Sequence, residues 1–125
     1  MRHPHFVSPQ AWHTTLGDAL ALAGAQGKHV FVQVGRQSCG GSRALVERTV
    51  AKEEIHEFLD ANYVCVAADA DAPEPEVAAL VEQMTHRERT PFCLYLASDG
   101  RLVHFTSGGR PPAVFLADLI EASKK

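Results

Sequence analysis

Cys39 opens the run Cys39-Gly40-Gly41-Ser42, a cysteine followed three residues later by a serine, with Arg36 and Arg43 on either side. Sulfur nucleophiles act as thiolates, so the run matters only if its surroundings lower a thiol pKa that starts near about 8.5. The sequence supplies several means of doing so. A helix is expected to begin at the Gly-Gly turn, which sets Cys39 at a helix N-terminus, where unsatisfied N–H groups favour an anion. Ser42 can donate a hydrogen bond to the sulfur, and the two arginines add positive potential. Gly40 and Gly41 carry no side chains that would cover the sulfur, which leaves it open to a partner. A serine nucleophile is not expected, because no His-Asp arrangement is evident that would activate Ser42.

The other polar candidates read differently. Cys65 and Cys93 lie inside apolar runs and are expected to be small buried hydrophobes. No C-x-x-C pair is present, so neither a dithiol nor a zinc half-site is expected, and three cysteines do not make a disulfide scaffold. His3 and His5 form a two-ligand pair on a leader, a poor metal site, and are read as solvated surface residues. His13, His29, His56, His86 and His104 share no ligand spacing, so no metal is expected. Gly108-Gly109 most simply breaks the chain, with a backbone nest for a carboxylate as the alternative if it lies beside Thr90.

Positioning Cys39 requires a scaffold, and the apolar pattern describes one. Trp12, Leu16, Ala19 and Ala23 recur at helical spacing and predict a helix over about 10–25. His29 to Val34 reads as a strand buried on both faces, ending at Gly35. One broken or two short helices follow, over Ser42 to Val50 and then around Ile55, Phe58 and Leu59. Asn62 to Ala68 is a second buried strand, parallel to the first because a helical crossover joins them. Pro73 and Pro75 precede an amphipathic helix carrying Val77, Leu80, Val81 and Met84. Phe92–Ala97 and Leu102–Thr106 form a hairpin about Asp99-Gly100. A closing helix begins at Pro111-Pro112 and carries Phe115, Leu116, Leu119 and Ile120.

Composition agrees with one compact unit of this kind. The 125 residues are 46% hydrophobic and 22% charged, with a net charge of -3. That is too apolar for a disordered chain and long enough for one core without staples. No apolar run approaches the roughly 20 residues of a membrane span, and no polybasic cluster suggests nucleic acid. The Pro- and His-rich start is unlike a signal peptide, so residues 1–9 are read as a flexible leader and the cytoplasm as the compartment.

Taken in order, the strand Val30–Val34, the cysteine opening a helix, Thr90-Pro91 before a strand, Asp99-Gly100, and Gly108-Gly109 before the last helix make the chain resemble thioredoxin-fold proteins. The resemblance covers about residues 10 to 123. It is closest to small bacterial thioredoxin-like domains with a Lys-led strand, here Lys28, before the motif and a long helical stretch, here Ser42 to Ala61, after it. It implies an α/β fold of three layers, α/β/α, with a central mixed four-stranded sheet and an extra N-terminal helix, in one domain over 10–125. It also implies that Cys39 is the nucleophile and that Ser42 stands where the family has its resolving cysteine. Ser38 replaces the tryptophan that often precedes the motif, and Gln33 replaces a buried carboxylate. Pro91 matches the cis-proline that faces the cysteine, and Thr90 offers backbone to an extended peptide or to glutathione. Gly40, Gly41, Thr90 and Pro91 are therefore the expected substrate-binding residues.

The function this implies is monothiol exchange or redox sensing through Cys39, with no cofactor and an external thiol to resolve the adduct. A protein disulfide or glutathione is the expected partner. The motif is also similar to the C-G-F-S of monothiol glutaredoxins, with Arg36 at a basic position and Ser107-Gly108-Gly109 like the family's Gly-Gly turn. That similarity implies a glutathione-binding protein, which in some members shares an iron–sulfur cluster between protomers. Gly41 in place of Phe and Arg110 in place of an acidic residue depart from it. A third alternative is a non-catalytic module that holds a partner chain in the Pro91 groove, with Cys39 only a landmark of the fold.

Overall fold

The structure, a computed structural model, describes residues 1–125. Its elements are α1 (Leu16–Gln26), β1 (His29–Gly35), α2 (Gly40–Ala44), a π-helical turn (Leu45–Thr49), α3 (Glu53–Asn62), β2 (Tyr63–Asp69), α4 (Pro75–Glu82), β3 (Phe92–Leu96), β4 (Leu102–Ser107) and α5 (Pro112–Ser123). The four strands form one mixed sheet in the order β2-β1-β3-β4. β1 runs parallel to β2 and antiparallel to β3, and β3 and β4 pair as a hairpin. Gly100, at φ 93°, supplies the left-handed residue that the hairpin turn needs.

Both sheet faces are covered, which is why the strands read as continuous apolar runs rather than alternating ones. Val30, Val32 and Val34 of β1 face α1 and α4, packing with Leu16, Ala19, Val77 and Leu80. Phe31, Cys65, Cys93 and Tyr95 point the other way, against Leu45, Ile55, Leu59, Phe115 and Leu119 of the π turn, α3 and α5. Tyr63 Oη donates to Leu119 O at 2.7 Å, tying α5 to β2. No helix is long and apolar enough to cross a membrane.

Two expectations about the N-terminal region are corrected. α1 starts at Leu16, not near residue 10, because residues 12 and 13 are extended. His13 N–H donates to Cys65 O and Ala67 N–H donates to His13 O, each at 2.8 Å, so the segment bridges the outer edge of β2. Trp12 therefore leaves the Leu16–Ala19–Ala23 stripe and enters the core on the opposite sheet face. The end of α1 is held instead by Glu74, whose carboxylate accepts the Leu16 N–H at 2.9 Å.

The leader, read as a loosely held arm, packs onto the same core. His3 and Phe6 are buried, their rings stacked at 5.2 Å, and Trp12 meets His3 edge-on at 5.2 Å. Trp12 N–H donates to Met1 O and its indole Nε1–H to Ser8 Oγ, both at 3.1 Å. Prolines and histidines suggested mobility, but Phe6 and the His3 ring bring apolar area that the edge of the core can bury.

Candidate active site

β1 ends at Gly35 and the chain turns through Arg36–Ser38 to deliver Cys39 as the cap of α2. Its backbone is extended, φ -87° and ψ 117°, and the sulfur accepts the Ser42 N–H at 3.4 Å. α2 has only five residues before the π turn, so individual donors rather than a long helix dipole act on the sulfur. Ser42 is fully buried, and its hydroxyl accepts the Arg36 N–H at 3.3 Å.

The opposite wall is the Thr90-Pro91 loop, whose joining peptide bond is cis. Cys39 Sγ lies 3.4 Å from Thr90 O, to which the neutral thiol donates. Gly41 packs against this loop, and a Cβ there would come within 3.2 Å of Pro91 Cδ. Gly41 is thus a close-approach residue as well as an uncovered one, whereas Gly40 faces open space. The structure accordingly brings Cys39, Gly41, Ser42, Thr90 and Pro91 together, with Gly40 on the outer rim.

Burial is the largest influence on the Cys39 thiol and opposes ionisation. It is outweighed by the polar groups around the sulfur, the side chains of Ser42 and Thr90 and the backbone of Ser42 and Gly41, of which the Ser42 N–H stands at 3.4 Å, and together they bring the thiol down to about 7. The arginines contribute less than their positions suggest. Arg36 pairs with Asp71 at 2.8 Å and Arg43 with Glu47 at 2.9 Å, so each positive charge is largely spent on a neighbouring carboxylate. Replacing Ser42 with Ala removes the hydroxyl that leads the lowering influences on the Cys39 thiol. The expected result is a Cys39 pKa raised by about 0.5–1 unit, read from the pH dependence of alkylation.

Cys65 and Cys93 are both 2% exposed, and burial raises both thiols, Cys93 to about 12. Cys93 faces the α2 and α5 layer, where it lines a small cavity of about 70 Å³ with Gly41, Leu45, Pro91 and Phe115. Its neutral, buried thiol belongs to the core under the motif.

Several residues outside the motif support the site. Ser107 Oγ accepts the N–H groups of Glu88 at 2.9 Å and Arg89 at 3.1 Å and donates to Arg89 O at 3.1 Å, fixing the approach to Thr90. Gly108, at φ 86°, donates its N–H to Pro91 O at 3.0 Å, so the Gly-Gly turn does stand beside the Pro91 loop. Under the motif, Gln33 is 1% exposed and takes a hydrogen bond from His3 at 3.1 Å. Both His3 nitrogens are engaged, since Nδ1 accepts the N–H groups of His5 and Phe6. The reading of His3 as a solvated surface residue is therefore corrected.

Comparison with known proteins agrees with this fold. A family model described as thioredoxin-like matches residues 11–98. A thioredoxin from Thermus thermophilus is 25% identical, with a TM-score of 0.72 over 90% of this chain and 85% of that one. A putative disulphide-isomerase from Bacteroides thetaiotaomicron superposes with a TM-score of 0.76 at 17% identity, covering 94% of this chain and 96% of that one. Among curated proteins, spermatogenesis-associated protein 20 of Mus musculus is 28% identical over 67 residues, which is 54% of this chain. This chain spans 8% of that protein's length.

Proposed function

The chain belongs to the thioredoxin-like family, and from that premise we propose that it exchanges thiols and disulfides through Cys39 as a single working thiol. The observation that carries this reading is the placement of Cys39 Sγ at the start of α2, taking the Ser42 N–H at 3.4 Å and facing the cis Thr90-Pro91 bond, with its pKa lowered to about 7 while burial raises Cys93 to about 12 and raises Cys65 as well. Cys39 thiolate attacks one sulfur of a partner disulfide, forming the mixed disulfide and releasing the other sulfur as a thiolate. Ser42 has no sulfur with which to attack that adduct. A second thiolate from outside the motif must displace Cys39, and the disulfide then passes to the incoming thiol with no net oxidation of this protein.

Thr90 and Pro91, facing the sulfur, are the surface against which an extended peptide disulfide lies in this reading, with Gly41 permitting the approach. A partner of that kind, rather than a cofactor, supplies the second sulfur. A reducing cytoplasm, rich in such thiols, is the compartment the reading favours. The glutathione-binding alternative leans on Arg36, and that guanidinium is engaged with Asp71 at 2.8 Å.

Incubation with an excess of a peptide disulfide or of oxidised glutathione, followed by peptide mapping, tests the reading. One adduct per chain at Cys39, persisting until a second thiol is added, is expected. No adduct, or one carried by Cys65 or Cys93, contradicts it. Adduct formation with glutathione but with no peptide disulfide would transfer support to the glutathione-binding alternative.

A further inference from the structure

Arg36, Arg43, Arg89 and Arg110 all stand near the motif, and their charges are not equally committed. Arg36 pairs with Asp71 at 2.8 Å, Arg43 with Glu47 at 2.9 Å and Arg110 with Asp118 at 2.8 Å. Arg89, exposed and one residue before Thr90, has no carboxylate within ion-pair distance. Its own loop supplies none, because Glu88, the single carboxylate between Gln83 and Pro91, lies against His86 at 3.5 Å. Arg87, two residues earlier, adds a second unpaired positive charge to that loop.

Arg89 is nonetheless held in place. Ser107 Oγ accepts its N–H and donates to its carbonyl, both at 3.1 Å, so the backbone is pinned on either side of the side chain. That side chain lies along the Gly-Gly turn: a Cβ on Gly108 would stand 3.4 Å from Arg89 Nε and 3.5 Å from Arg89 Cγ. Gly108 and Gly109 in turn line the small hollow beside Gly41 and Pro91. The guanidinium thus borders the surface that faces the sulfur, one residue from the Thr90 carbonyl that lies 3.4 Å from Cys39 Sγ.

We propose that Arg89 is a specificity-determining residue that receives a carboxylate flanking the reacting disulfide, so that acidic peptide segments are the preferred partners. The inference rests on the reading of Cys39 as the exchanging thiol and names the partner class for that site. An extended partner advances about 3.3 Å per residue, which places its acidic side chain one or two residues from the cysteine under attack. Charge pairs at the edge of an interface act mainly on the rate of encounter and on the choice of partner. The chain as a whole carries a net charge of -3, so general attraction does not favour acidic partners and the preference has to come from this local charge.

The test uses disulfides of three short peptides that differ only in the residues beside the cysteine, which are Glu, Gln or Lys, with glutathione disulfide as a fourth probe. Rates of mixed-disulfide formation at Cys39 are compared in wild type, Arg89→Gln and Arg89→Glu, and the ratio of the acidic to the neutral peptide cancels any effect on the thiol itself. Arg89→Gln is expected to lower that ratio about two- to fivefold. Arg89→Glu is expected to lower it further and to raise the ratio of the basic to the neutral peptide. Salt at about 0.5 M is expected to shrink both differences. Arg101→Gln, which removes the same charge at the far end of the β3–β4 hairpin, is expected to leave the ratios unchanged. Ratios unmoved by Arg89→Gln overturn the proposal, as does an equal change in Arg101→Gln or a dependence on Arg89 confined to glutathione. Those results leave Cys39 adducts in place, whereas no adduct with any probe overturns the exchange reading and this proposal with it.

Discussion

Cys39→Ser is expected to abolish mixed-disulfide formation and to leave a protein with two cysteines and no fast thiol. The magnitude follows from the separation of the three environments. With its thiol at about 7, Cys39 is about half ionised at neutral pH. Cys93, near 12, would be ionised in about one molecule in 10⁵ at that pH, and its sulfur is buried besides. Cys65 lies higher still. The rate of alkylation of the folded chain is therefore expected to fall by at least about a thousandfold on this substitution. Native-state alkylation followed by peptide mapping checks it, and a residual fast phase on Cys65 or Cys93 would contradict it. Binding of a partner chain that survives Cys39→Ser undiminished would favour a non-catalytic module.

The largest effect on stability is expected from Trp12→Ala. Trp12 is fully buried and joins four things: the leader, through Met1 O and Ser8 Oγ; the His3 ring; the ring of Phe31, 6.4 Å away; and the π turn and α3 side of the core. Truncating a buried Trp costs about 3–5 kcal/mol, against a total stability of about 5–15 kcal/mol for a domain. A fall in Tm of about 10–25 °C is expected. Because the leader loses its main anchor, proteolysis within residues 1–9 should also accelerate in the native state. A Tm within about 3 °C of wild type would show that Trp12 does not bind leader to core.

These two residues also mark what was legible in the sequence. The strand–helix order, the parallel β1–β2 pair, the hairpin at Asp99-Gly100 and the helices begun by prolines all followed from apolar period and turn chemistry. These signals are local, and tertiary packing did not override them. Trp12 was assigned to a helical stripe because its spacing to Leu16 fits 3.6 residues per turn. The extended backbone that sends it to the other sheet face is set by pairing with β2, more than fifty residues away. The packed leader was missed for a similar reason: one His ring and one Phe give no periodicity, and their burial depends on a gap beside Trp12 and Gln33.

At the site, Cys39, Gly41, Ser42, Thr90 and Pro91 were named from sequence and lie together in the structure. Arg36 and Arg43 exert less influence than their sequence positions imply, because Asp71 and Glu47 pair with them, and the Asp71 pair joins residues 35 positions apart. Gln33 stood out in sequence as a polar residue within an apolar strand. Its partner did not, because His3 reaches it from thirty residues away and across two elements. Ser107 was legible only as part of the Gly-Gly turn, since the bonds its hydroxyl makes to Glu88 and Arg89 exist only once the loops are placed.

A rate at one pH is a weak test of the thiolate account. Lowering a thiol pKa from about 8.5 to about 7 raises the thiolate fraction at pH 7 roughly 16-fold. It also lowers intrinsic nucleophilicity about fivefold, since the Brønsted slope is about 0.4–0.5. The net gain is only about threefold, which steric access alone can imitate. The pH midpoint has no such ambiguity. The most direct measurement is therefore the rate of Cys39 alkylation by iodoacetamide across pH 5 to 10 in the native chain. A midpoint near 7 is the predicted result, and one at about 8.5 or above would contradict the account.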